Sequence, residues 1–137
     1  MRATQSALEA WRAAIDIAED VYRVTKAFPV NETKALTMPL RRSAVSVLSS
    51  IVEGEGRTSR KELSQFLCQF RVFLFEVETQ ISLARRLGYV DAREADSILL
   101  KTASVGKLSR GERRPSIPQR LPGRSGLRAV AVRAGSR

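Results

Sequence analysis

Apolar residues recur along this chain at three- and four-residue steps in four separate runs, the signature of four amphipathic helices. In the first run Leu8, Trp11, Ile15, Ala18, Tyr22 and Thr25 form one stripe, read as the core face of a helix from about Ala7 to Phe28. Ser6 and Glu9 have capping-box spacing at its start, and Phe28-Pro29 ends it. Pro29 to Thr37 reads as a loop. A second helix then starts with Thr37 as cap and Pro39 in its first turn, where proline is tolerated. Leu40, Ala44, Val47, Leu48, Ile51 and Val52 share its apolar arc. Arg42, Ser46, Ser49, Ser50, Glu53 and Arg57 lie opposite, and Gly54 and Gly56 mark its end.

The third helix is the clearest. Ser59 and Glu62 form a capping box, and Gly88 is placed to terminate the helix. Leu63, Phe66, Leu67, Phe70, Phe73, Leu74, Val77, Ile81 and Ala84 make a broad core stripe. About 180° away runs a second seam, Cys68, Val72, Phe75, Thr79 and Leu83. A surface helix is polar on its far side, so a seam there predicts burial against another copy. The fourth helix opens with Asp91 and Glu94 as a capping box and carries Ala95, Ile98, Leu99, Ala103 and Leu108.

The periodicity stops at Ser109, where Arg, Gly, Pro and Ser take over. The chain is therefore read as an all-α, up-down antiparallel four-helix bundle over residues 1–108. Its fourth helix is shortened, and residues 109–137 form a basic, disordered tail. The tail's abrupt onset also fits an out-of-frame reading of the last turns of helix four. Charge sharpens the division. Residues 1–108 carry 16 Lys and Arg against 13 Asp and Glu; residues 109–137 carry 8 against 1. Most of the net charge of +10 thus belongs to the tail, which suits a polyanion partner better than the bundle does.

Candidate chemistry adds little that is catalytic. There is no histidine, the usual general base and metal ligand, and the single cysteine, Cys68, can form neither an intrachain disulfide nor a thiolate zinc site. The Gly-Glu-Gly at 54–56 has the spacing of neither a phosphate loop nor a dinucleotide fingerprint. No catalytic residue, metal site, cofactor or small-molecule substrate is expected. No segment reads as membrane-spanning or as a signal core, and a cytoplasmic location is expected.

Arg41, Arg42, Arg57, Arg60 and Lys61 are the candidate phosphate contacts. The alternatives for Arg42 are a solvated face or a pairing with Glu53 of a neighbouring subunit. The serine ridge is read as a close-packing surface, Trp11 and Tyr22 as core rather than base-stacking platforms, and Arg85 and Arg86 as cations suited to a helix C-terminus.

Three strings carry a resemblance: AWRAAIDIAEDVYRVTKAFP, LTMPLRRSAVSVLSSIVEGEGR and FLFEVETQISLARRLGYV. In order and distance they are similar to bacterial four-helix-bundle proteins encoded within intervening sequences of 23S ribosomal RNA genes, relatives of which serve as accessory proteins of diversity-generating retroelements. The resemblance covers roughly Ala7 to Leu108. It implies a ring-like homopentamer without known catalysis and a nucleic-acid-binding role. The family's double arginine matches Arg41 and Arg42, its serine Ser46, its Glu-Gly Glu53 and Gly54, its next basic position Arg57, and its helix-three glutamates Glu76 and Glu78. The chain departs from the family at Leu48, Ser50, Val72 and Phe73, and after Leu108.

The expected function is that of a non-enzymatic homo-oligomer binding RNA or DNA through backbone charge. Its interface is expected at Cys68, Val72, Phe75, Thr79 and Leu83. The alternatives are a scaffold for a nucleic-acid enzyme such as a reverse transcriptase, or a selfish-element remnant without a present task.

Overall fold

Four helices pack in sequence order around a square, α1 against α2 and α4, and α3 against α2 and α4. The computed structural model describes residues 5–54 and 59–109. The helices are α1 (Gln5–Thr25), α2 (Met38–Gly54), α3 (Arg60–Arg86) and α4 (Ala92–Ser109). This is the up-down bundle read from periodicity, with α4 at 18 residues against 27 for α3. The tail after Ser109 and Arg57 lie outside the described residues.

Local signals fix the ends of α3 and α4. Ser59 Oγ accepts the Glu62 amide at 3.1 Å, and Asp91 Oδ1 accepts the Glu94 amide at 2.8 Å, so both sequence caps form. At the far end of α3 the Tyr89 amide donates to Ala84 O and the Gly88 amide to Arg85 O. This paired closure places Gly88 at φ +81°, a conformation that glycine adopts without strain. The α1–α2 connection is not the irregular loop expected: Val30–Glu32 forms a 3-10 turn and Thr33–Thr37 a π turn, leading straight into α2. Ser6 lies inside α1 rather than capping it. Gly54 marks a close approach of α2 to α3, since a Cβ there would stand 2.8 Å from the Phe66 ring.

The core corrects the reading of α1. Its buried face is Ala10, Ala14, Ile17, Val21, Val24 and Phe28. The stripe of larger side chains lies about 100° around the helix, with Trp11 39% and Tyr22 43% exposed; of that stripe only Thr25 is buried. Both stripes are apolar. The bundle takes the one with alanines at positions 10 and 14, because small side chains let neighbouring helices approach while bulky ones sit on the rim. On α2 Leu40, Ala44 and Val47 are buried as expected, whereas Val52 is 52% exposed and Ser50, assigned to the outer arc, is buried. Ser43 and Ser50 face α3, and Ser43 Oγ lies 2.8 Å from Glu76 Oε2 and 3.0 Å from the Pro39 carbonyl, its one proton serving one acceptor at a time. The close-packing role read for the serine ridge thus holds at Ser50 and extends to Ser43.

α3 follows the sequence reading closely: Phe66, Phe70, Leu74, Val77, Ile81 and Ala84 are buried, while Leu67 and Phe73 are only half-buried. On α4 the expected Ala95, Ile98 and Leu99 are buried, Ala103 and Leu108 are only half-buried, and Thr102 and Val105 join the core instead. Truncating Ile17, fully buried, to Ala should cost about 2–5 kcal/mol. Trp11→Ala should cost far less at protomer concentrations low enough to exclude self-association. Urea unfolding followed by circular dichroism reads both; equal losses would return Trp11 to the core.

Candidate nucleic-acid interface

Two questions decide what the candidate arginines do: which are already engaged inside the protomer, and which stand together. Arg41 is engaged. Its position on α2 carries it across to the end of α1, where Nε donates to Thr25 Oγ1 at 2.8 Å and the guanidinium lies 4.7 Å from the Tyr22 ring centroid. Thr25 in turn donates to the Val21 carbonyl at 2.7 Å, which fixes the hydroxyl as an acceptor for Arg41. Arg41 therefore clamps α1 to α2 by a hydrogen bond and a cation–π contact. Nothing in the sequence pattern flagged this, because the partners lie 16 and 19 positions away.

Arg42 points outward, as do Arg60 and Lys61, and none of the three makes an ion pair or side-chain hydrogen bond among the described residues. They do not form one patch. Arg42 adjoins Ser43, which is level with Glu76. Arg60 begins α3, roughly 24 Å from Glu76 along the axis at 1.5 Å per residue. Within one protomer the candidate cations are thus dispersed over the length of the bundle.

Other cations are consumed locally. Lys101 Nζ donates to Asp20 Oδ2 at 2.6 Å, and Arg23 reaches both Asp20 and Glu94, tying α1 to α4. Arg85 pairs with Asp96 at 3.1 Å across α3 and α4, a tertiary role beyond the helix-end one read for it. At the turn end Tyr89 OH donates to Glu32 Oε2 at 2.9 Å and its ring lies 5.7 Å from Phe28, so the α1–α2 link is clasped to the α3–α4 turn. The hydrogen bond to Glu32 raises the Tyr89 pKa, with burial adding to it.

The seam residues sit where the sequence places them, outside the protomer's core. Val72 is 54% and Leu83 48% exposed, Cys68 and Thr79 are exposed, and Phe75 is half-buried. Among the described residues no three His, Cys, Asp or Glu side chains gather as a metal site would require, and no helix is long and apolar enough to cross a membrane.

Among the described residues, Glu78 is the one carboxyl perturbed by its surroundings. Burial between α3 and α4 pushes its pKa up, and contact with the Thr102 hydroxyl opposes that shift. Its folded pKa therefore lies above the unfolded value near 4.5, so charging it costs stability as pH rises through that range and costs nothing below it. Glu78→Gln should leave the bundle at least as stable as wild type near pH 7, with the difference shrinking below about pH 4.5. Thermal melts across pH check this; a larger loss at neutral pH than at acid pH would overturn the assignment.

The chain can also be set beside known proteins. Comparison with curated proteins gives no match. A family profile described as 23S rRNA-intervening sequence protein matches residues 6–111, from the second residue of α1 to just past the end of α4. The match takes in all but the first described residue of the bundle, including the Arg41–Arg42 pair, Glu53, Gly54 beside Phe66 and both helix-three glutamates. This chain belongs to the 23S rRNA-intervening sequence protein family.

Proposed function

We propose that this chain is a non-enzymatic, oligomeric helical-bundle protein that binds RNA or DNA through backbone charge. The observation that carries the proposal is the apolar seam of α3, exposed in the protomer on the side opposite its core stripe. A helix with two apolar flanks is stable in water only when both are covered, and the protomer covers one. Self-association would repeat Arg42, Arg60 and Lys61 around the assembly, turning dispersed single cations into a multivalent surface. Arg57 and the basic tail would add to it. The resemblance to ring-forming homopentamers agrees with this arrangement, and the absence of histidine agrees with a binding rather than a catalytic role.

The scaffold reading draws on a specific observation too: residues 1–108 have only three more cations than acids, a weak charge for an obligate nucleic-acid binder. On that reading the assembly holds a protein such as a reverse transcriptase, and nucleic acid is incidental.

Light scattering should give a mass several times the protomer's 15.2 kDa. An RNA or DNA shift should weaken steeply between about 50 and 200 mM salt, each duplex phosphate contact adding about 0.9 to the log–log slope. Arg42→Glu with Arg60→Glu should lower both affinity and slope. Affinity indifferent to salt would overturn nucleic-acid binding. A double variant that loses RNA but still captures a reverse transcriptase would decide for the scaffold.

A further inference from the structure

The end of the bundle where α1 passes to α2 and α3 to α4 carries one exposed cation at each of its four corners. Lys26 stands just past α1, Lys34 in the π turn that leads into α2, Arg86 at the last residue of α3 and Arg93 at the second residue of α4. The cross-helix contacts put them at one level. Ser43 meets Glu76, Arg85 meets Asp96 and Arg23 meets Glu94. Counted along antiparallel helices, these pairings set the four cations within about one helical turn, roughly 5 Å, of each other along the bundle. Among the described residues none of the four makes an ion pair or a side-chain hydrogen bond. Arg23 and Arg85 offset Glu94 and Asp96, so the corner cations stand against two acids, Glu32 and Asp91. Both are engaged: Glu32 accepts the Tyr89 hydroxyl and Asp91 accepts the Glu94 amide.

Helix stability accounts for only half of this set. Lys26 and Arg86 stand at the ends of α1 and α3, where cations suit the helix dipole. Lys34 and Arg93 stand at helix starts, where cations oppose it. Between the corners the chain crosses twice, and each crossing exposes an aliphatic side chain: Val30, 90% exposed, and Leu87, 47% exposed. The Tyr89–Glu32 hydrogen bond and the contact of the Phe28 and Tyr89 rings tie the two crossings together. Val30 and Leu87 therefore project from one braced cap, with the cations around it.

We propose that this end of the bundle docks on an anionic lipid surface, with Lys26, Lys34, Arg86 and Arg93 at the headgroups and Val30 and Leu87 entering between them. A nucleic acid would reward the cations through its phosphates but would leave the aliphatic tips without a partner. A protein would need a recess built for Val30, which is a knob rather than a groove. An anionic bilayer takes both features: its surface charge attracts basic side chains, and its headgroup–acyl boundary takes up apolar ones. Docking of this kind needs no membrane-crossing helix, and none is present among the described residues. The charge excess is small, so one end binds weakly and salt screens it readily. Arg86 is in line with the α3 seam, so the test leans on the other corners and on the cap.

The basic tail would also draw the chain to anionic vesicles, so the experiment has to read where contact is made. Trp11→Phe with Val30→Trp moves the chain's sole indole to the cap. Both positions are exposed, so circular dichroism should show the wild-type bundle. With vesicles of phosphatidylcholine and about 30% phosphatidylserine at about 50 mM salt, the emission should shift to the blue and resist quenching by acrylamide. Phosphatidylcholine alone should do neither, and about 200 mM salt should reverse most of the shift. Lys34→Glu with Arg93→Glu places acids at helix starts, which the dipole favours, and should lower flotation with the anionic vesicles about tenfold or more. RNA in place of vesicles should leave the emission unchanged. A chain that floats with anionic vesicles while its emission stays put would assign the affinity to the tail and overturn docking by this end. Emission that answers to RNA but not to vesicles would make the end a nucleic-acid contact and overturn the proposal equally, as would a chain that does not float at all.

Discussion

A helix in a square of four can turn only part of its circumference to the core, a stripe a little over about 100° wide, and everything apolar outside that stripe needs another home. In this bundle α4 comes nearest to the limit: Arg93 and Ser97 are exposed, and none of its described large apolar side chains is more than half-exposed. α1 and α3 exceed it. α1 carries a second stripe beside its core face, and α3 carries one opposite. On α2, Val45 and Val52 are exposed as well, so the excess is shared by α1, α2 and α3.

What was legible in the sequence follows from how local each signal is. The caps at Ser59 and Asp91 and the left-handed Gly88 depend on residues within a turn or two, and each is where the pattern puts it. The α3 stripe was legible because its two apolar flanks lie on opposite sides and cannot be confused. α1 was not, because its two stripes adjoin, and periodicity measures only where apolar residues recur. Choosing between them takes volume: Ala10 and Ala14 fit against neighbouring helices, whereas Trp11 and Tyr22 do not. Ser50 fails for the related reason that a small hydroxyl can be buried where helices approach closely. At the candidate interface, Arg41 was legible as a cation but not as a clamp, since Tyr22 and Thr25 come within reach only once α1 and α2 are packed.

The polar ties are distributed unevenly. α1 and α4 are joined by exposed or half-exposed ion pairs, Lys101 to Asp20 and Arg23 to Glu94, which contribute little to stability individually. α2 and α3 are joined by buried serines and by the Gly54–Phe66 contact, where space rather than charge decides. The Phe28–Tyr89–Glu32 clasp holds the turn end. The bundle's cohesion thus rests mainly on its apolar interior, which leaves surface cations outside these pairs available for other work.

That work has to be divided. Arg23, Arg85 and Lys101 are spent inside the protomer, and Arg41 lies over Tyr22. If the α3 seam is covered by a neighbour, Arg86, in line with the seam, falls along the joint. Lys61 is in line with the seam, two turns ahead of Cys68, so it too is drawn toward the joint, although the sequence pattern groups it with the phosphate contacts. Arg60 is turned about 100° from Lys61 and stays clear of the seam. Arg42 stands exposed on α2 and is not spent inside the protomer. A nucleic-acid surface on an assembled ring would then rest first on Arg42 and Arg60 and on the repetition of those sites around the ring. Its affinity would come from the number of copies rather than from the charge of any one bundle.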